Sequence, residues 1–128
     1  MKFRPGISTI LVSAVLVAIT VCAYRFIATL DICDTRIDHE ISSPDGKRIA
    51  VIFHRDCGAT VDFNTQVSVV PAGTVFSFND YPAIYSSGGE SELPVSWLAP
   101  DKLQIILPRS EKIYRRDRSA GGVAITYK

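Results

Sequence analysis

The segment HRDCGAT, residues 54 to 60, sets an imidazole, a guanidinium, a carboxylate and a thiol in four successive positions. Cys57 could be a nucleophile with His54 as its base, a metal ligand, or half of a disulfide. A strand across residues 48 to 57 would send His54 and Cys57, three positions apart, to opposite faces, which parts a nucleophile from its base. His54-Arg55-Asp56 also spells the His-Arg-Asp of a kinase catalytic loop, but Val61 stands where that loop's asparagine would follow. His39 beside Asp38 and Glu40, together with His54 and Asp56, offers metal-ligand types without tight ligand spacing, so solvated charges are the expectation. Asp62 and Asp80, in VDFN and SFNDY, read as turn or loop residues. The expectation is therefore no catalytic residue, no metal and no cofactor. One observation discriminates: an active site would gather Arg55, Asp56, Thr60 and Thr65 in one concave pocket, whereas a structural segment would disperse them.

The thiol also depends on its compartment. The chain has 128 residues, room for one small domain, and its 14 Lys plus Arg against 13 Asp plus Glu give no bulk attraction to nucleic acid. Lys2 and Arg4 precede an uncharged apolar run from Ile7 to Tyr24, ISTILVSAVLVAITVCAY. As a helix at ~1.5 Å per residue, this run is close to the roughly 30 Å of a bilayer's hydrocarbon. Arg25 can snorkel while Phe26, Ile27 and Leu30 extend the apolar stretch. Residues 1–30 thus read as an N-terminal membrane anchor and 31–128 as a domain beyond it. Cleavage after Val21-Cys22-Ala23 is the competing reading. Lipidation of Cys22 would require a small residue where Val21 stands. The basic residues before the span place the N-terminus in the cytoplasm and the C-terminal domain outside the bacterial inner membrane. In that oxidising setting Cys33 and Cys57 are an even pair, and a disulfide is favoured over a free thiol.

Beyond residue 36 the pattern is that of a mainly β, mostly antiparallel domain, a meander of about six or seven strands. SPDG lies between two strand-like runs, the second being Arg48 to Phe53. TQVSVV alternates and is broken by PAG. APDK separates a Trp97 strand from a strand over Leu103 to Leu107, and Ile113 and Val123 open a closing hairpin across RDRSAGG.

Two stretches could meet a partner. Phe76, Phe78, Tyr81 and Tyr85 crowd a loop with the flexible SSGGESE, and RSEKIYRRDR carries five basic residues against two acidic ones. Core aromatics and a solvated hairpin face are the plain readings. The sharper one joins Tyr81, Tyr85, Arg115 and Arg116 into an aromatic and cationic surface for an envelope protein or anionic lipid headgroups.

SPDGKRIAVIF and WLAPDKLQII each resemble the turn and strand of a TolB-type propeller blade, but two partial matches cannot close a propeller. Cys33, SPDGK at 43–47, RDCGAT at 55–60, TQVS at 65–68 and Trp97 before a hydrophobic strand resemble the pattern of a family of small uncharacterised bacterial envelope proteins. The resemblance covers roughly residues 33 to 107 and implies an exported β domain whose Cys57 pairs with the upstream cysteine. It carries no activity. A membrane-tethered binding or interaction module of the cell envelope is the expected function, ahead of a structural envelope component or inhibitor, and ahead of a small hydrolase or transferase using the RDCGAT segment.

Overall fold

The computed structural model describes residues 6–30, 33–58 and 63–128. The chain divides into two units, Met1–Ile32 and Cys33–Lys128.

In the first unit, α1 spans Ile7–Thr29. It is the one described helix long and apolar enough to cross a membrane. Ser13 and Thr20 donate their hydroxyls to the carbonyls of Thr9 and Leu16, each at 2.8 Å. These two hydroxyls are thereby satisfied within the helix, as a hydrocarbon environment requires.

The second unit is a two-sheet β domain with nine strands among the described residues. One sheet comprises β1 (Asp34–Ser42), β2 (Arg48–Asp56), β3 (Asn64–Pro71), β4 (Tyr85–Gly88) and β7 (Ile113–Arg116), in that spatial order. The other comprises β5 (Val95–Ala99), β6 (Lys102–Ile105), β9 (Val123–Tyr127) and β8 (Ser119–Ala120), also in that order. All ladders are antiparallel except that of β6 with β9.

The SPDG turn joins β1 to β2. Ser43 Oγ donates to Asp45 Oδ1 at 2.6 Å, the same oxygen accepts the Lys47 amide at 3.2 Å, and Gly46 supplies the positive φ of 67°. The Ser43 hydroxyl, then the Lys47 amide, hold the Asp45 carboxyl below its ordinary pKa. At the other end of this hairpin Asp34 pairs with Asp56, and the disulfide between Cys33 and Cys57 closes the next rung. Cys57 is therefore neither nucleophile nor ligand. A bulge inserts Asp38, because Ile37 pairs with Phe53 but His39 with Ile52.

Burial follows the period of two. Val123 and Ile125 of β9 point inward with Leu103 and Ile105 of β6, while Ala124 and Thr126 face out. These pack with Ala50, Ile52 and Val67 of the first sheet in one core. The opposite faces of β2 and β3 hold a second core of Val51, Phe53, Val70 and Ala83, roofed by Phe76, Phe78 and Tyr81. β2 is thus covered on both sides, which explains its unbroken run of buried residues from Ala50 to Arg55. Side-chain bonds join the sheets near their edges, among them one from Arg48 Nη1 to the Pro100 carbonyl at 3.4 Å. Trp97 Nε1 donates to the Ile41 carbonyl at 2.9 Å, and Tyr127 Oη to the Asp117 carbonyl at 2.6 Å.

Two expectations need correction. The strands do not simply follow one another as a meander, and Ile113 and Val123 do not open one hairpin. The strand from Ile113 pairs with β4, while the strand from Val123 pairs with β8 across Gly121-Gly122, whose φ values of 55° and 76° fit a two-residue turn. The chain changes sheets between them, which adds the short β8 and makes β6 and β9 parallel neighbours.

Candidate functional site

β3 outruns its neighbour. β4 pairs only with Asn64 to Val67, because the preceding segment turns away over the second core. Ser68 Oγ donates to the Tyr81 carbonyl at 2.9 Å, and the Ile84 amide donates to Val67 at 2.8 Å as the last rung. Val69 to Pro71 continue beyond β4. Beside the gap, the Asp117 amide bonds the Ile84 carbonyl at 2.9 Å, after which the chain crosses to the second sheet through β8.

The gap is a groove of about 550 Å³. Val69, Pro71, Tyr81, Pro82, Ile84 and Ala120 give it apolar walls, and Lys47, Arg48, Asp80, Arg115 and Asp117 give it a charged rim. Arg115 donates through Nε and Nη2 to Asp117 Oδ2 at 3.0 and 2.8 Å. This pair is half exposed, so it contributes little stability but fixes where both charges sit. Lys47 and Arg48 then outweigh Asp80 on the rest of the rim. Apolar walls with a few placed polar groups are the usual composition of a ligand or peptide site.

The four residues expected as a partner surface separate. Tyr81 and Arg115 both line the groove. Tyr85 does not belong to any surface: it is fully buried in the main core, where loss of hydration raises its hydroxyl pKa. Its place in β4 opposite Arg116 points the ring between the sheets. Arg116 is exposed, but its guanidinium lies over the Tyr127 ring, 4.6 Å from the centroid. Phe76 and Phe78 pack on Phe53 with centroids 4.8 and 6.1 Å away, so the aromatic loop is largely the roof of the second core.

Of the HRDCGAT residues, His54, Arg55 and Asp56 line one small cavity of about 90 Å³ with Asp34, Arg36, Phe63 and Glu90, and Thr65 is not part of its lining. Arg55 is buried with its guanidinium 3.7 Å from the Phe78 centroid, and Asp56 accepts the Gly58 amide at 2.9 Å in a local turn. Thr60, Val61 and Asp62 lie outside the described residues. One arrangement has the outline of a catalytic triad. His54 Nδ1 is 3.2 Å from Thr65 Oγ1, and its Nε2 is 3.9 Å from Asp38 Oδ2, which the bulge turns toward it. Thr65 cannot serve as the nucleophile in this arrangement: its hydroxyl donates to the Gly89 carbonyl at 2.8 Å and accepts the Ser91 amide at 3.3 Å. Its single hydrogen is committed, so His54 is placed to donate rather than to take a proton. Asp38 Oδ2 also lies 2.9 Å from His39 Nδ1, and among the described residues no group of three or more acidic, His or Cys side chains could hold a metal.

Sequence reasoning found Tyr81 and Arg115 but missed Lys47, Arg48, Val69 and Ala120 as their neighbours. The one available signal was unequal strand length: TQVSVVP is long, YSSG is short, and a sheet built from both leaves an open end. Comparison with protein-family models, curated proteins and solved structures finds no match for this chain.

Proposed function

We propose that the chain is a membrane-tethered interaction module of the bacterial cell envelope, with α1 as an uncleaved inner-membrane anchor and the β domain outside the cytoplasm. The groove beside the open end of β3 carries the reading: it is the place where an apolar wall, an interrupted sheet and a charged rim coincide. Anchoring raises the effective concentration of such a groove for partners in the same membrane. The uncharged helix after Lys2 and Arg4, and the disulfide, support an anchor orientation with the domain in an oxidising compartment. The resemblance through Cys33, SPDGK, RDCGAT and TQVS supports the same placement among small envelope proteins. The commitment of the Thr65 hydroxyl to the Gly89 carbonyl favours binding over hydrolysis or transfer.

The test is co-purification of the full chain from its membrane in mild detergent, compared with the double variant Lys47→Glu, Arg115→Glu. The variant should keep its fold and lose the co-purifying protein. Retention of the same partner at the same yield would remove the groove from the interaction.

A further inference from the structure

We infer that the groove takes an extended peptide segment of a partner protein, which adds a rung to β3 at Val69 and carries a carboxylate to Lys47 and Arg48. This rests on the binding role proposed for the groove and names its occupant.

The backbone supplies the first observation. The Ala72 amide donates to the Lys47 carbonyl at 2.9 Å, and the Ser43 amide to the Arg48 carbonyl at 2.8 Å. The first bond sets Ala72 and Val70 as residues whose backbone groups face β2; the second agrees, since Arg48 faces β1 and leaves Lys47 and Ile49 to face β3. Alternation then turns Val69 N–H and C=O toward the groove, beyond the last rung to β4. Among the described residues no backbone or side-chain group pairs with either. Pro71, the next residue of that parity, has no N–H to offer, and its carbonyl accepts the Thr74 amide at 3.3 Å. The open edge is therefore one residue long, enough for a reciprocal pair of bonds and too short to nucleate sheet-to-sheet aggregation.

Charge supplies the second. Arg115 and Asp117 satisfy each other, and Arg48 Nη1 donates to the uncharged Pro100 carbonyl at 3.4 Å. The positive charges of Lys47 and Arg48 therefore stand against Asp80 alone among the lining carboxylates and favour an acidic occupant at the Lys47 end. A lipid phosphate would use the cations but neither the apolar wall nor the Val69 edge, and it would meet the carboxylates of Asp80 and Asp117. An extended peptide uses all three features: backbone for Val69, an apolar side chain for Tyr81, Pro82 and Ile84, and a carboxylate for the rim.

The experiment selects acetylated hexapeptides from a randomised library on the full chain in phospholipid nanodiscs, then measures the enriched peptides by fluorescence anisotropy. Enriched sequences should join an apolar residue to Asp or Glu two positions away. N-methylation of the peptide nitrogen that pairs with Val69 should weaken binding about tenfold or more, the loss expected for one hydrogen bond and its steric replacement. Lys47→Glu should weaken acidic peptides but not their Gln or Asn analogues. Binding of every N-methylated analogue at full strength would overturn the strand-addition inference while leaving a groove that binds side chains. Absence of enrichment also overturns it. Cross-linking from the groove in cells needs no chosen peptide, so it separates loss of this inference from loss of the binding role itself.

Discussion

Tyr127 donates its hydroxyl to the Asp117 carbonyl at 2.6 Å, and through this bond the last strand of one sheet grips the segment leaving the other. Asp117 is also the residue that holds Arg115 at the groove, so the tyrosine sets the position of the rim it does not itself line.

Burial, and then the Asp117 carboxylate, push the Tyr127 hydroxyl up to about 12, and burial raises Tyr85 as well. Both raised values mean that the folded chain keeps protons the unfolded chain releases near pH ~10. Their contribution is present in full below that pH, declines as pH rises toward 12, and is lost beyond it. Denaturant melts from pH 9 to 12, followed alongside phenolate absorbance, should show stability falling across this window. Tyr127→Phe should cost about 1 kcal/mol at neutral pH and flatten the decline. An unchanged alkaline profile in that variant would deny Tyr127 this role.

Tyr85 and Ser87 invite the opposite experiment. Tyr85 Oη and Ser87 Oγ are fully buried, and among the described residues neither makes a well-formed hydrogen bond, although the Ser87 hydroxyl lies close enough to act on the Tyr85 hydroxyl. Removing a buried polar atom that gains little in the fold should be nearly neutral or stabilising, in contrast to removal of a paired one. Tyr85→Phe should therefore match or exceed the wild-type melting temperature, whereas Tyr85→Ala should lose about 3 to 5 kcal/mol through the cavity it opens. A clear loss in Tyr85→Phe would reveal a partner for the hydroxyl.

The disulfide closes the β1–β2 hairpin at the end opposite its turn, across a sequence separation of 24. In the chain-entropy picture a loop of this size stabilises by roughly 3 kcal/mol, largely by restricting the unfolded chain. Cys33→Ala with Cys57→Ala should lower the melting temperature and leave the strand signal of circular dichroism intact. Loss of the strands altogether would mean that the hairpin depends on the link to form. Non-reducing peptide mapping should show Cys33 joined to Cys57 and Cys22 unpaired.

Strand positions were legible in the sequence because turn chemistry is local. SPDG, PAG and APDK each announce a break, and β1, β2, β3, β5 and β6 fall where those breaks put them. Strand partners were less legible, since pairing is decided by surface that only the folded chain brings together. IYRR and VAITY look like hairpin neighbours, yet the first completes one sheet and the second fills the other. The aromatic run misled for a related reason. Tyr81 and Tyr85 lie four residues apart in one loop-like stretch, but the chain enters β4 between them, so one reaches the groove and the other the core. The groove itself is a consequence of β4 beginning late, a property of two strands at once.

Membrane orientation has its own test. A reporter active only outside the cytoplasm, fused after Lys128, should be active, as the basic residues before α1 require. Activity of a cytoplasm-only reporter instead would reverse the orientation. Mass measurement of the membrane-bound chain should show the first 23 residues retained.

The binding role of the groove is tested most directly by photo-cross-linking in living cells, with benzoylphenylalanine placed singly at Tyr81, at Arg115, and at the exposed Glu40 of β1 as control. Tyr81 and Arg115 should yield the same discrete adduct, lost when Lys47→Glu is added, and Glu40 should yield none. An identical adduct from Glu40, or none from either groove position at normal protein levels, would contradict the assignment of this groove as the site where the protein meets its partner.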